Sequence, residues 1–120
     1  MPKLIDSPTI IKAAGNKLKK IEEFIGNVNT QTSEISVAKM TSPGGWVEPG
    51  QTPDFKEITY VISGELHVEY NGGILKVKGG QTVVTEPNEW VRYSTPNPEG
   101  AAYIAICLPA FSPDTVNRDS

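Results

Sequence analysis

A chain of 120 residues with a formal net charge of -3 and a pI near 5.1 is one domain's worth of sequence, and its acidity argues against a nucleic-acid partner. The single cysteine, Cys107, excludes an intrachain disulfide and fits a cytoplasmic, reducing setting. No apolar run approaches the ~20 residues of a membrane span, and the N-terminus lacks a signal-peptide core.

In chain order, Ser7 can cap a helix starting at Pro8, and Gly15 can end it, so a two-turn N-terminal helix is expected. Lys17, Lys19 and Lys20, followed at once by Glu22 and Glu23, read as solvated surface. Within residues 17–25, Leu18, Ile21 and Ile25 have helical spacing, but the β character of the flanking domain favours a strand. The rest is punctuated by turn residues: Pro43-Gly44-Gly45, Pro49-Gly50, Ser63-Gly64, Asn71-Gly72-Gly73, Gly79-Gly80, Pro87-Asn88 and Pro96-Asn97-Pro98. Strands are expected between them at 34–40, 56–62, 81–86, 90–94 and 101–108. The alternating segment Glu65 to Tyr70 should turn through Asn71-Gly72-Gly73 into Ile74–Val77 as a hairpin. Many short strands predict an antiparallel sandwich or barrel.

On the strand from Lys56 to Ile62, Glu57, Thr59 and Val61 share one face and Ile58, Tyr60 and Ile62 the other. With Glu57 facing a barrel lumen, the Ile58/Tyr60/Ile62 face needs cover, from the N-terminal segment or from a second copy of the chain. A homodimer is therefore expected.

The stretch from Gly45 to Gly64, GWVEPGQTPDFKEITYVISG, resembles the first motif of the cupin family: a glycine, two histidines one residue apart, a glutamate and a later glycine. Gly45, Glu57 and Gly64 match, while Gln51 and Pro53 stand where the histidines would be. GQTVVTEPNEWVRYST, from Gly80 to Thr95, resembles the second motif, with Glu86-Pro87-Asn88 in place of its proline–glycine turn and Val91 at its histidine. Of the four ligand positions that cupins use, only Glu57 remains. The segments EPGQTPDFKEITYVISGEL and NEWVRYSTP also look like short bacterial cupins without the histidine cluster. Lys56-Glu57-Ile58 and Gly64–Val68 are similar to ethanolamine-utilisation cupins of the EutQ type. The resemblance implies an all-β fold, a double-stranded β-helix (the cupin jelly-roll barrel), over residues 34–110. Residues 1–33 would form the helix and extension packed on it, and 111–120 a tail. It implies no single reaction, because the fold hosts isomerases, dioxygenases, lyases, storage proteins and sensors.

Proline offers no donor atom and a glutamine amide is a poor transition-metal ligand, so no metal and no cofactor are expected. Glu57 is the candidate acid or base, since a carboxyl inside such a barrel is desolvated. Tyr93, two residues beyond Val91, points the same way as Val91 and can donate from its phenol. Gln51 inherits an inward position, and Trp46 and Glu48 lie in the loop leading to it, near the expected barrel mouth. Arg92 and Trp90 alternate with Val91 and should face outward; Arg92 is a carboxylate clamp if it reaches a site and a surface ion pair otherwise. His67, the only histidine, reads as solvated between Glu65 and Glu69, and Cys107 as a buried apolar thiol. The tail could fold back on Phe111; nothing in its sequence decides this.

The expected function is binding of a small polar organic molecule in the barrel lumen without a transition metal, by a sensor or by a metal-independent isomerase or lyase. A metalloenzyme with oxygen ligands at Glu57 and Gln51 is the alternative, and a filled, purely structural barrel a third.

Overall fold

Nine β-strands and no helix make up the computed structural model, which describes all residues from Met1 to Ser120. In chain order they are β1 (Thr9–Ile11), β2 (Lys20–Ile25), β3 (Ser36–Ser42), β4 (Trp46–Val47), β5 (Lys56–Tyr70), β6 (Gly73–Lys78), β7 (Thr82–Thr85), β8 (Arg92–Thr95) and β9 (Ala101–Leu108). They form two antiparallel layers curled into an all-β barrel. The first layer runs β1-β2-β3-β9, then the first half of β5, then β7. The second runs β6, the second half of β5, β8 and β4.

β5 serves both layers. A turn at Ser63-Gly64 is what the composition suggests, but the chain instead bends within one long strand, with a register shift between Val61 and Ser63. Gly64 makes the bend possible. Its φ of 79° is left-handed, and a Cβ there would run into the carbonyl oxygen of Gly100 on the adjoining chain.

The expected N-terminal helix is absent. Thr9-Ile10-Ile11 is a β-branched run with poor helix propensity, and it pairs with Ile21, Glu22 and Glu23 as an edge strand. Two isolated turns could not outweigh that pairing. Gly15 is no helix cap: the chain passes so close over Trp46 that a Cβ would strike the indole, whose Nε1 donates to the Ala14 carbonyl at 3.1 Å. The strand reading of 17–25 holds for β2, and the hairpin at Asn71-Gly72 joins β5 to β6.

Strand register explains the interior. Met40, Tyr103 and Val61 lie side by side and fill one level of the first layer's inner face. The next level is Ala38, Ala105 and Thr59, all small, which leaves space. Beyond it come Ser36, Cys107, Glu57 and Thr85. The main core gathers Trp46, Val61, Leu66, Val68, Val77, Val83, Val91, Tyr93, Ala101 and Tyr103. A smaller cluster joins Phe55, Cys107 and Val116, with Phe111 against it. Val116 and Phe111 thereby fold the C-terminal tail back onto the barrel. Its backbone bonds Thr52, Asp54 and Gly50, and Asp119 Oδ2 accepts from Trp90 Nε1 at 2.9 Å.

Candidate functional site

The small residues of the middle level open a cavity bounded by members of both core clusters. Glu48, Gln51, Glu57, Tyr93, Tyr103 and Cys107 line it, together with Lys19, Phe55, Phe111 and Arg118. It is small, with a volume of about 70 Å³, room for several waters or one small organic molecule.

Glu57 occupies β5 between Cys107 on β9 and Thr85 on β7. Tyr93 reaches it from the opposite layer, its hydroxyl donating to Glu57 Oε1 at 3.2 Å and lying 3.3 Å from Thr85 Oγ1. Burial pushes the Glu57 carboxyl from the ordinary 4.5 up to about 7. The charge of Glu48 adds to the rise, and Lys19 and the Tyr93 hydrogen bond oppose it. Burial raises Glu48 as well, against the pull of Lys19 and Arg118. Tyr93 is held far above the ordinary phenol value by burial and by Glu57, so it stays a neutral donor. The Cys107 thiol is raised by burial and carries no thiolate character.

The side chains of Glu48, Gln51 and Arg118 make no hydrogen bond within the chain, although Glu48 and Gln51 are buried. The Lys19 ammonium sits beside the Tyr103 hydroxyl and opposes the rise that burial gives that phenol. Gln51 is positioned by its backbone, which pairs with Val91 and Arg118.

Glu57, Tyr93, Gln51 and Glu48 thus meet around one cavity, as the strand and motif spacing anticipated. Two other candidates lie elsewhere. Arg92 is exposed on the outer face of β8 and binds Glu69 through Nε and Nη2, at 2.9 and 2.6 Å. Strand alternation turns it away from the lumen. Trp46 is a fully buried core residue rather than a ligand wall, with Lys19 Nζ 4.0 Å above its ring. His67 is not solvated either. Flanked by Lys76 and Ser94, it is largely buried, with Nε2 2.6 Å from Oε2 of Glu65, and that contact holds the Glu65 carboxyl below its ordinary value.

Lys19, expected as solvated surface, instead lines the cavity, where Tyr103 and Arg118 join it. Lys19 was legible in principle, because on a strand through 19–25 it alternates inward with Ile21 and Glu23, both of which line the cavity. Nothing local marks Arg118, which arrives only because the tail folds back.

The places that hold a metal in histidine-bearing relatives carry Gln51, Pro53, Glu57 and Val91. Val91 is core, Pro53 has no donor atom, and no three His, Cys, Asp or Glu side chains gather to hold an ion. This donor set does not fit zinc, iron, nickel or copper.

Among solved structures the chain resembles the EutQ protein of Clostridium difficile (18% identity, 78% of this chain and 64% of that one, TM-score 0.65). It also resembles an RmlC-like cupin of Shewanella frigidimarina (20%, 90% and 89%, TM-score 0.71). A third is the polyketide cyclase RemF of Streptomyces resistomycificus (14%, 98% and 84%, TM-score 0.75). At these identities the likeness is one of fold. A curated relative, named endoribonuclease YbeY, from Myxococcus xanthus, is 34% identical over 102 residues, or 85% of this chain; the match spans only 35% of that longer protein. The cupin domain family matches residues 40–107, more than half of the chain and the stretch that runs from β3 to β9 around the cavity. The chain is a member of the cupin family.

Proposed function

We propose that the cavity binds a small polar organic molecule without a transition metal, and that Glu57 exchanges a proton with it. The observation that carries this reading is the set of cavity-facing polar side chains left without partners in the chain. Buried residues rarely leave polar atoms without a partner in the chain. The polar atoms of Glu48 and Gln51 stay reachable from the cavity, where a ligand can supply the partner.

A carboxyl raised to about 7 is populated in both protonation states near neutral pH, which suits an acid–base group. Tyr93 orients it and stays protonated as a hydrogen-bond donor to ligand. Gln51 can donate and accept at once. In a catalyst these groups would move a proton within the substrate, as isomerases and lyases do; in a binding protein they would hold the ligand in one orientation.

The ribonuclease activity named for the Myxococcus relative is not part of this reading. The shared segment is a minor part of that protein, and a net charge of -3 is a poor match to a phosphate backbone. The assembly we propose is a homodimer through the outer face of the first layer, where Tyr60, Ile62 and Val84 are 46%, 45% and 48% exposed.

The test is a thermal-stability screen of the purified chain against small acids, sugars and amines, repeated on Glu57→Gln. A compound that stabilises the wild type and loses its effect in the variant supports the site. Stabilisation indifferent to Glu57 removes it.

A further inference from the structure

Two cations enter this cavity from opposite ends of the chain. Lys19 immediately precedes β2, and Arg118 comes from the tail that straps across residues 50–55. Neither has a carboxylate within ion-pairing distance, although the chain forms ion pairs elsewhere at Lys20, Lys56 and Arg92. Aromatic rings hold them instead. Lys19 Nζ sits 4.0 Å from the Trp46 ring centroid and 5.2 Å from that of Tyr103; Arg118 Cζ lies 5.8 Å from that of Phe111.

The difference matters physically. A carboxylate partner neutralises a cation and uses its N–H donors. An aromatic face fixes its position and leaves both charge and donors available. Lys19 and Arg118 are therefore positioned without a close ion-pair partner.

We propose that Lys19 and Arg118 form an anion-recognising end of the cavity and that its ligand is a small organic carboxylate. The inference rests on the cavity reading above and names the class of molecule that the cavity takes.

The charge balance favours a monoanion. Lys12, Lys19 and Arg118 line the cavity against Glu23, Glu48 and Glu57. The Glu23 carboxylate is engaged by the backbone N–H groups of Val28 and Asn29, at 3.0 and 2.8 Å. Burial favours the neutral forms of Glu48 and Glu57, which lessens the negative charge facing Lys19 and Arg118. A monoanion suits that setting better than a phosphate dianion, which would meet stronger repulsion from two glutamates in a space of about 70 Å³.

The probes are lactate, pyruvate and benzoate, each titrated calorimetrically against its neutral primary amide, with inorganic phosphate alongside. The proteins are the wild type, Lys19→Met, Arg118→Gln and Arg118→Lys, each checked for an unchanged circular dichroism spectrum. At least one carboxylate should bind about tenfold or more tighter than its amide. Lys19→Met, which keeps the aliphatic stem over Trp46, and Arg118→Gln should each weaken that carboxylate by about tenfold and leave the amide alone. Arg118→Lys should retain most of the affinity.

Equal binding of acid and amide, or equal losses for both in the variants, overturns the anion site but leaves the cavity reading standing. Phosphate binding without carboxylate binding also overturns it. If no probe binds the wild type at millimolar concentration, the carboxylate assignment fails. If probes bind but ignore Glu57→Gln as well as both cation variants, the cavity itself is the wrong site.

Discussion

The phenol of Tyr93 and the carboxyl of Glu57 meet at 3.2 Å across the barrel, one from β8 in the second layer and the other from β5 in the first. Their roles separate by substitution. If Glu57 transfers a proton, Glu57→Gln should leave binding within about tenfold and lower turnover by ~10²–10⁴. If the pair only binds, Glu57→Gln and Tyr93→Phe should each lose roughly 1–3 kcal/mol of affinity, because a buried ligand group loses its partner. Ligand titration and steady-state rates on the same variants distinguish the two outcomes.

The raised Glu57 carboxyl makes stability depend on pH in a defined direction. The folded chain holds this proton more tightly than the unfolded chain does. Its contribution is complete below the ordinary 4.5 and is lost as pH rises through about 7. Glu48 is raised too and acts with the same sign, so Glu57→Gln removes only part of the effect. Melting temperatures across that window should fall more steeply for the wild type than for Glu57→Gln. Parallel curves would mean that Glu57 is not desolvated in solution.

Gly64 tests the bend in β5. An alanine there would need a positive φ, and its methyl would meet the Gly100 carbonyl and come within 2.8 Å of Ala101 Cα, both backbone. Gly64→Ala should cost ~2 kcal/mol or more in denaturant unfolding. A loss under ~0.5 kcal/mol would show that the two layers are joined more loosely at this corner.

Elemental analysis of untagged protein checks the missing ligands. With Gln51, Pro53 and Val91 at the three histidine places, zinc, iron, nickel and copper should each fall well below one equivalent. A stoichiometric metal that survives dialysis against a mild chelator would refute the metal-free reading.

Sedimentation at micromolar concentration checks the outer sheet face. Tyr60, Ile62 and Val84 share it with Ile58, Ile104 and Ile106, an apolar surface whose burial is worth ~25 cal/mol per Å². A dimer of the 13.0 kDa chain is expected, and Tyr60→Lys with Ile62→Lys should dissociate it. A wild-type monomer would show that this face stays in water.

Local rules were enough for part of this architecture. Period-two alternation put Glu57, Thr59 and Val61 on one face, Asn71-Gly72 made a hairpin, and motif spacing located Gln51, Glu57 and Val91. Alternation also turned Arg92 outward. Local rules misled where a residue's meaning came from a distant neighbour. Gly15 looks like a helix cap and is small because Trp46 lies beneath it; Ser63-Gly64 looks like a turn and is a bend set by Gly100. The meeting of the two cations came from tertiary contacts instead. Lys19 and Arg118 stand 99 residues apart (118 − 19) in the chain. They come to one cavity only because β2 adds to the sheet and Val116 carries the tail back into the core. That meeting depends on burial of apolar surface between remote segments, a force with no sequence period of its own.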